Sequence, residues 1–153
     1  MNPISEHTVR RIVEFSETDM AGIVHFSQFF RYIESAEHAL WRATGLSVAS
    51  RQGELAVYGW PRVSVHFDFK APLRFEEEFD TRAVILELRT RAIRFGFVVS
   101  KLDGTLVGRG GVTAVCVTKN DEGTMSASPI PGLVTDAFQP ITLERAKELG
   151  FSE

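Results

Sequence analysis

A single cysteine, Cys116, leaves the chain with no intrachain disulfide. It sits in an apolar run, which marks it as a buried, inert thiol rather than a nucleophile. No apolar stretch approaches the ~20 residues that a membrane helix needs. The first eleven residues are polar and lack the core of a signal peptide. A cytoplasmic protein with no membrane partner is therefore expected. Charge of one sign is also scarce. The formal net charge is −3, which gives no general attraction for nucleic acid, so none is expected as a partner. His7, His38 and His66 show no metal-ligand spacing, so neither a metal nor a cofactor is expected. Gly108, Gly110 and Gly111 carry no phosphate-loop pattern and in a strand mark a bulge or close packing. Tryptophan and tyrosine number two each against twelve phenylalanines, which points to a phenyl-rich core or pocket. The 153 residues, 44% hydrophobic and 24% charged, suit one soluble globular domain over residues 1–153.

The first readable segment, residues 7–15, is rich enough in Val, Ile and Phe for a strand. It runs into Ser16-Glu17-Thr18-Asp19-Met20-Ala21-Gly22, which is loop chemistry. Residues 27–44 predict one long helix. Phe29, Phe30, Ile33, Ala36, Leu40 and Ala43 share a face; Arg31, Glu34, Glu37, His38 and Arg42 lie mostly on the other. Gly45 stops it. Residues 46–60 show no clear period. Residues 62–70 alternate strictly, with Val63, Val65, Phe67 and Phe69 on one side and Arg62, Ser64, His66, Asp68 and Lys70 on the other. Further strands are expected over residues 78–89, 91–102 and 105–118, with Asp103-Gly104 as a two-residue hairpin turn. Residues 119–132 read as loop. Residues 128–153 form a tail with a short helix over 142–149, capped by Thr142 and stopped by Gly150. The order predicts α+β with a five-stranded antiparallel sheet wrapped on one helix.

The loop before the long helix combines a carboxylate, Asp19, a glycine, Gly22, and a helix start near Phe26 or Ser27. A helix start presents unpaired N–H groups and partial positive charge. Such groups can hold a carbonyl oxygen and the oxyanion that develops on attack. A carboxylate folded back by a glycine turn can face the carbonyl carbon. On pattern alone Asp19 reads first as a turn or capping residue.

The run Phe15-Ser16-Glu17-Thr18-Asp19-Met20-Ala21-Gly22-Ile23-Val24-His25-Phe26 resembles the opening motif of the 4-hydroxybenzoyl-CoA thioesterase family. Phe29-Phe30-Arg31-Tyr32-Ile33-Glu34 and Phe69-Lys70-Ala71-Pro72-Leu73-Arg74 are similar to two further stretches of that family. The likeness extends over roughly residues 7–120. It implies the hotdog fold and an acyl-CoA thioesterase. Asp19 matches the catalytic aspartate and Phe26 the residue whose backbone N–H binds the thioester oxygen. Gly22 matches the turn glycine, with His25 beside it as a substrate contact. Arg89 and Arg91 fall where the family places basic residues near the CoA phosphates. The resemblance also implies a homodimer or a dimer of dimers, with active sites at the interface. Two departures stand out. Glu17 replaces the first aspartate of the family's pair, and His25 sits one place before the family's histidine position. A hotdog dehydratase or hydratase and a non-catalytic acyl-binding module are the rival readings.

Overall fold

The structure, a computed structural model, describes residues 2–50 and 52–151. In chain order the elements are β1 (Glu6–Ile12), α1 (Phe26–Ala43), β2 (Tyr58–Gly59), β3 (Arg62–Phe69), β4 (Glu78–Leu88), β5 (Ala92–Lys101), β6 (Leu106–Val115), β7 (Val117–Lys119), β8 (Met125–Ala127), α2 (Gly132–Thr135) and α3 (Leu143–Glu148). Five strands form one antiparallel sheet in the order β1-β4-β5-β6-β3, and β2, β7 and β8 form a small second sheet. One face of the large sheet packs on α1. This is the expected hotdog fold.

The helix begins where His25 caps it, its Nδ1 accepting the Ser27 N–H at 3.3 Å. It ends at Thr44-Gly45. Phe29, Ile33, Ala36 and Leu40 are buried as the spacing predicts, and Tyr32, Glu37 and Trp41 widen the buried face. Each large apolar side chain buried there contributes about 1.5–3 kcal/mol. Phe30 and Ala43 lie instead at the rim and in solvent. Glu37, placed by its spacing on the polar face, is only 1% exposed. The cause is a β-bulge in β3. Arg62 pairs with Ala114 and Ser64 with Thr113, so Val63 is an extra residue and the alternation shifts there. Arg62 thereby joins Val65, Phe67 and Phe69 on the helix side and pairs with Glu37.

The glycines of β6 mark close packing, as expected. Gly110 stands opposite Phe67 and Gly108 opposite Phe69. A Cβ on Gly110 would lie 2.3 Å from the His66 carbonyl oxygen. The space is filled by phenyl rings: Phe29 stacks on Phe67 and meets Phe69 edge-on, both at 5.3 Å.

Several boundaries differ from the sequence reading. The first strand stops at Ile12, and Phe15–Glu17 make a single 3₁₀ turn. The last long strand breaks at Cys116, whose N–H turns away to the Arg91 carbonyl (2.8 Å). The stretch 119–132 contains β8, and 46–60 contains a 3₁₀ turn and β2. The hairpin at Asp103 has a three-residue loop, with Lys101 N–H bonded to Thr105 O (2.9 Å) and Gly104 N–H to Lys101 O (3.0 Å). α3 forms as expected, with Thr142 Oγ1 accepting the Arg145 N–H at 3.0 Å. The tail runs over the sheet's outer face. Ile141 N–H bonds to Ile85 O (2.9 Å), Arg145 pairs with Glu6 (3.0 Å), and Arg109 Nε donates to Leu149 O (2.9 Å). The Phe151 ring sits over Gly96, within 2.8 Å of where a Cβ would be. Among the described residues no helix is long and apolar enough to cross a membrane.

Candidate active site

The loop between β1 and α1 is tied at both ends by one residue. Glu17 is buried. Its carboxylate accepts the Glu14 N–H (2.8 Å) and the Tyr32 hydroxyl (2.9 Å), with the Arg11 guanidinium at 3.5 Å. Its carbonyl accepts the His25 N–H at 2.9 Å. Glu17 therefore fixes where the chain leaves the strand and where it enters the helix. Burial, and then the Glu17 carboxylate, push the Tyr32 hydroxyl above the usual phenol range. The hydroxyl remains a donor at neutral pH.

Between these ties the chain makes a tight turn. Asp19 N–H bonds to Ile23 O (2.9 Å) and Gly22 N–H to Asp19 O (3.0 Å). Gly22 sits at φ +81°, a conformation costly for any residue with a Cβ. Asp19 Oδ1 accepts the Ala21 N–H at 2.9 Å, so Asp19 is a turn residue. It is also half-buried in the wall of a pocket of about 540 Å³, with Ile23, Val24, Phe26, Phe29, Phe69 and Lys70 around it. The two readings of Asp19 coexist in one carboxylate: Oδ1 holds the turn while the side chain lines the pocket.

Phe26 opens α1 on the same pocket. Its backbone N–H has no acceptor among the described residues. The positive end of an eighteen-residue helix adds to the pull on an electron-rich oxygen placed there. The Phe26 ring is 61% exposed and lies against the His25 ring at 4.6 Å. His25 itself caps the helix, with Nδ1 also 2.8 Å from Ser27 Oγ.

Gly22, Asp19, His25 and Phe26 are thus adjacent, as their order in the chain requires. Arg89 and Arg91 are not. They occupy the β4–β5 turn, whereas Glu78 at the other end of β4 pairs with Ile12 near the loop. Eleven strand residues separate these ends by about 35 Å. Arg89 is paired with Glu87 at 3.0 Å. Among the described residues the cation that lines the pocket is Lys70, just after β3. Its position just before Ala71-Pro72 was the only sequence signal for it. Cys116 is fully buried, and burial pushes its thiol up to about 11, as suits an unreactive side chain.

A carboxylate and a free N–H across an apolar pocket suit attack on a carbonyl whose oxygen is held at the helix start. Comparison with known proteins finds thioesterases among those similar to this chain. The family model described as "Thioesterase-like superfamily" matches residues 13–138. A protein of Aquifex aeolicus is 32% identical over 112 residues, which cover 72% of this chain and 84% of its own. A 1,4-dihydroxy-2-naphthoyl-CoA hydrolase of Prochlorococcus marinus is 33% identical over 95 residues, 58% of this chain and 60% of its own. Among solved structures, a gentisyl-coenzyme A thioesterase superposes with a TM-score of 0.72 at 27% identity, covering 84% of this chain and 99% of the other.

Proposed function

The chain belongs to the thioesterase-like superfamily, and on that premise we propose that it hydrolyses acyl-CoA thioesters with Asp19 and the Phe26 N–H. It is a thioester hydrolase. The observation that supports the residue assignment is that Asp19 and Phe26 line one pocket and that the Phe26 N–H has no acceptor among the described residues. The thioester oxygen accepts the Phe26 N–H, and Asp19 faces the carbonyl carbon. In one route the carboxylate attacks, CoA leaves as its thiolate, and water cleaves the resulting mixed anhydride to free acid. In the other, Asp19 takes a proton from water as the water attacks, and the tetrahedral intermediate expels the thiolate. The apolar walls strengthen the N–H interaction by excluding water. Thiol release from short, long, branched and aromatic acyl-CoAs tests the reading. Hydration of an enoyl-CoA without thiol release would favour a lyase. Binding without turnover would favour an acyl-binding module.

The assembly belongs to the same proposal. β3 is an edge strand whose Val63, Val65 and Phe69 are exposed beside Phe26 and Phe30 of α1. Unpaired edges of this kind invite a second strand. Antiparallel pairing of two β3 edges across a two-fold axis would bring the partner's Arg89 and Arg91 to the same end of the joined sheet as Asp19. Light scattering should then give two or four times the 17.1 kDa chain mass. Replacing both arginines by alanine should raise KM roughly fivefold with kcat nearly intact, since exposed ion pairs contribute ~0–1 kcal/mol each. A fully active monomer, or an unchanged KM, rejects this arrangement.

A further inference from the structure

A second pocket, of about 440 Å³, is lined by α1 residues that come after those of the first in the helix, with residues of β3 and β6 opposite. Phe26, Phe29 and Phe69 line the first; Phe30, Ile33, Val65 and Val112 line the second. Its apolar walls end on three charged side chains: Glu34, Glu37 and Arg62. Glu37 is a buried carboxylate in a position where periodicity alone would put a solvated one. Arg62 reaches it because the bulge at Val63 turns Arg62 to the helix side. Arg62 also donates to the Trp60 carbonyl, which fixes the direction of the guanidinium. Burial raises the Glu37 carboxyl above its usual range, against the opposing pull of Arg62.

An ion pair of this kind is a poor source of stability, because desolvation offsets most of its attraction. An apolar pair would fill the same space. What the pair adds is polarity at the end of an otherwise apolar path. The path starts at the Phe26 N–H, where the proposed reaction occurs. Glu37 lies eleven residues further along the helix, about 16 Å, the span of a roughly fourteen-carbon acyl chain. Two carboxylates against one guanidinium leave the pocket net negative. It therefore favours hydrogen-bond donors and disfavours anions.

We propose that this second pocket receives the far end of the acyl group, and that Glu37 and Arg62 select an end that donates a hydrogen bond over a plain alkyl end or a carboxylate. The proposal rests on the thioesterase reading of the first pocket and names the substrate class for it: long acyl groups with a hydroxyl or amine at the far end.

The test compares tetradecanoyl-CoA with its ω-hydroxy and ω-carboxy derivatives, with hexanoyl-CoA as a chain too short to reach Glu37. In the wild type, kcat/KM for the ω-hydroxy thioester should exceed that for tetradecanoyl-CoA by on the order of tenfold, with the ω-carboxy thioester the poorest. In the double variant Glu37→Leu with Arg62→Met the order of the first two should invert. Equal wild-type rates on the three long thioesters overturn the pocket assignment and leave the thioesterase reading standing. That readout needs no variant to fold. An unchanged preference in the folded double variant overturns the role of the ion pair. Absence of hydrolysis with every thioester, hexanoyl-CoA included, overturns the thioesterase reading and the proposal with it.

Discussion

Asp19→Asn should lower kcat by on the order of a hundredfold or more while leaving the fold and substrate binding intact. The structure explains why this substitution is a clean probe. Asp19 Oδ1 accepts the Ala21 N–H, and the amide oxygen of asparagine can take over that bond, so the turn survives. What asparagine cannot do is attack a carbonyl carbon well or accept a proton from water. A fall in kcat with KM little changed therefore reports chemistry and not a collapsed loop. Asp19→Ala removes the turn bond as well, and should lose thermal stability that the asparagine variant keeps. Phe26→Ala is the complementary control. Its backbone N–H remains at the helix start, so its kcat should stay within roughly tenfold of wild type. Steady-state kinetics of these variants on one good substrate decide the matter. Near wild-type kcat in Asp19→Asn would move the catalytic group elsewhere.

Gly110→Ala should be the costliest single methyl group added to the sheet. A Cβ at 110 meets the His66 carbonyl oxygen at 2.3 Å, the Phe67 ring at 2.8 Å and the Phe67 Cα at 3.0 Å. Two of these three atoms are backbone, so no rotamer change relieves the contact. β3 must move away from β6. Overpacking of this kind costs about 1–3 kcal/mol, occasionally more. For a chain of this size that corresponds to a fall in Tm of roughly 3–12 °C. Because β3 carries Phe69 and Arg62 into the two pockets, turnover should suffer as well. Gly132→Ala, with nothing within 4 Å of the added methyl, should leave Tm within about 2 °C. A scanning calorimetry trace for Gly110→Ala that overlays wild type would show that β3 shifts freely.

The parts legible in the sequence were those set by local chemistry. α1 was readable because its apolar residues recur at helical spacing and Gly45 stops it. α3 was readable from Thr142 and Gly150, and the Asp19 turn from its glycine. Close packing at Gly108 and Gly110 was readable because a strand with no side chains must approach something. Parts that depend on register were not legible. Strict alternation over residues 62–70 put Arg62 with Ser64 and His66, but one extra residue at Val63 reverses that. No local rule marks the bulge, since Val63 is a good strand residue. Glu37 was misplaced for the same reason. Its partner comes from twenty-five positions away, across a gap that only the bulge closes. Lys70 was passed over because a lysine at a strand end is normally a solvated one. Glu17 was noticed as a departure from a family pattern. Its work as a clamp on both arms of the loop depends on Tyr32, fifteen residues ahead.

The tail over the outer face bears on where this chain can be cut. The family match ends at residue 138, an inviting point for a shortened version. A protein ended there would lose Ile141, Ala146 and Phe151 from above Leu86 and Gly96. It would also leave Glu6 with only one of its two arginines. The uncovered strip runs across central strands that have already spent their backbone hydrogen bonds, so it offers grease and no edge. Such a fragment would keep every pocket residue and still be a sticky, less soluble molecule. Family resemblance marks out the chemistry here, and residues 139–151 supply the raincoat.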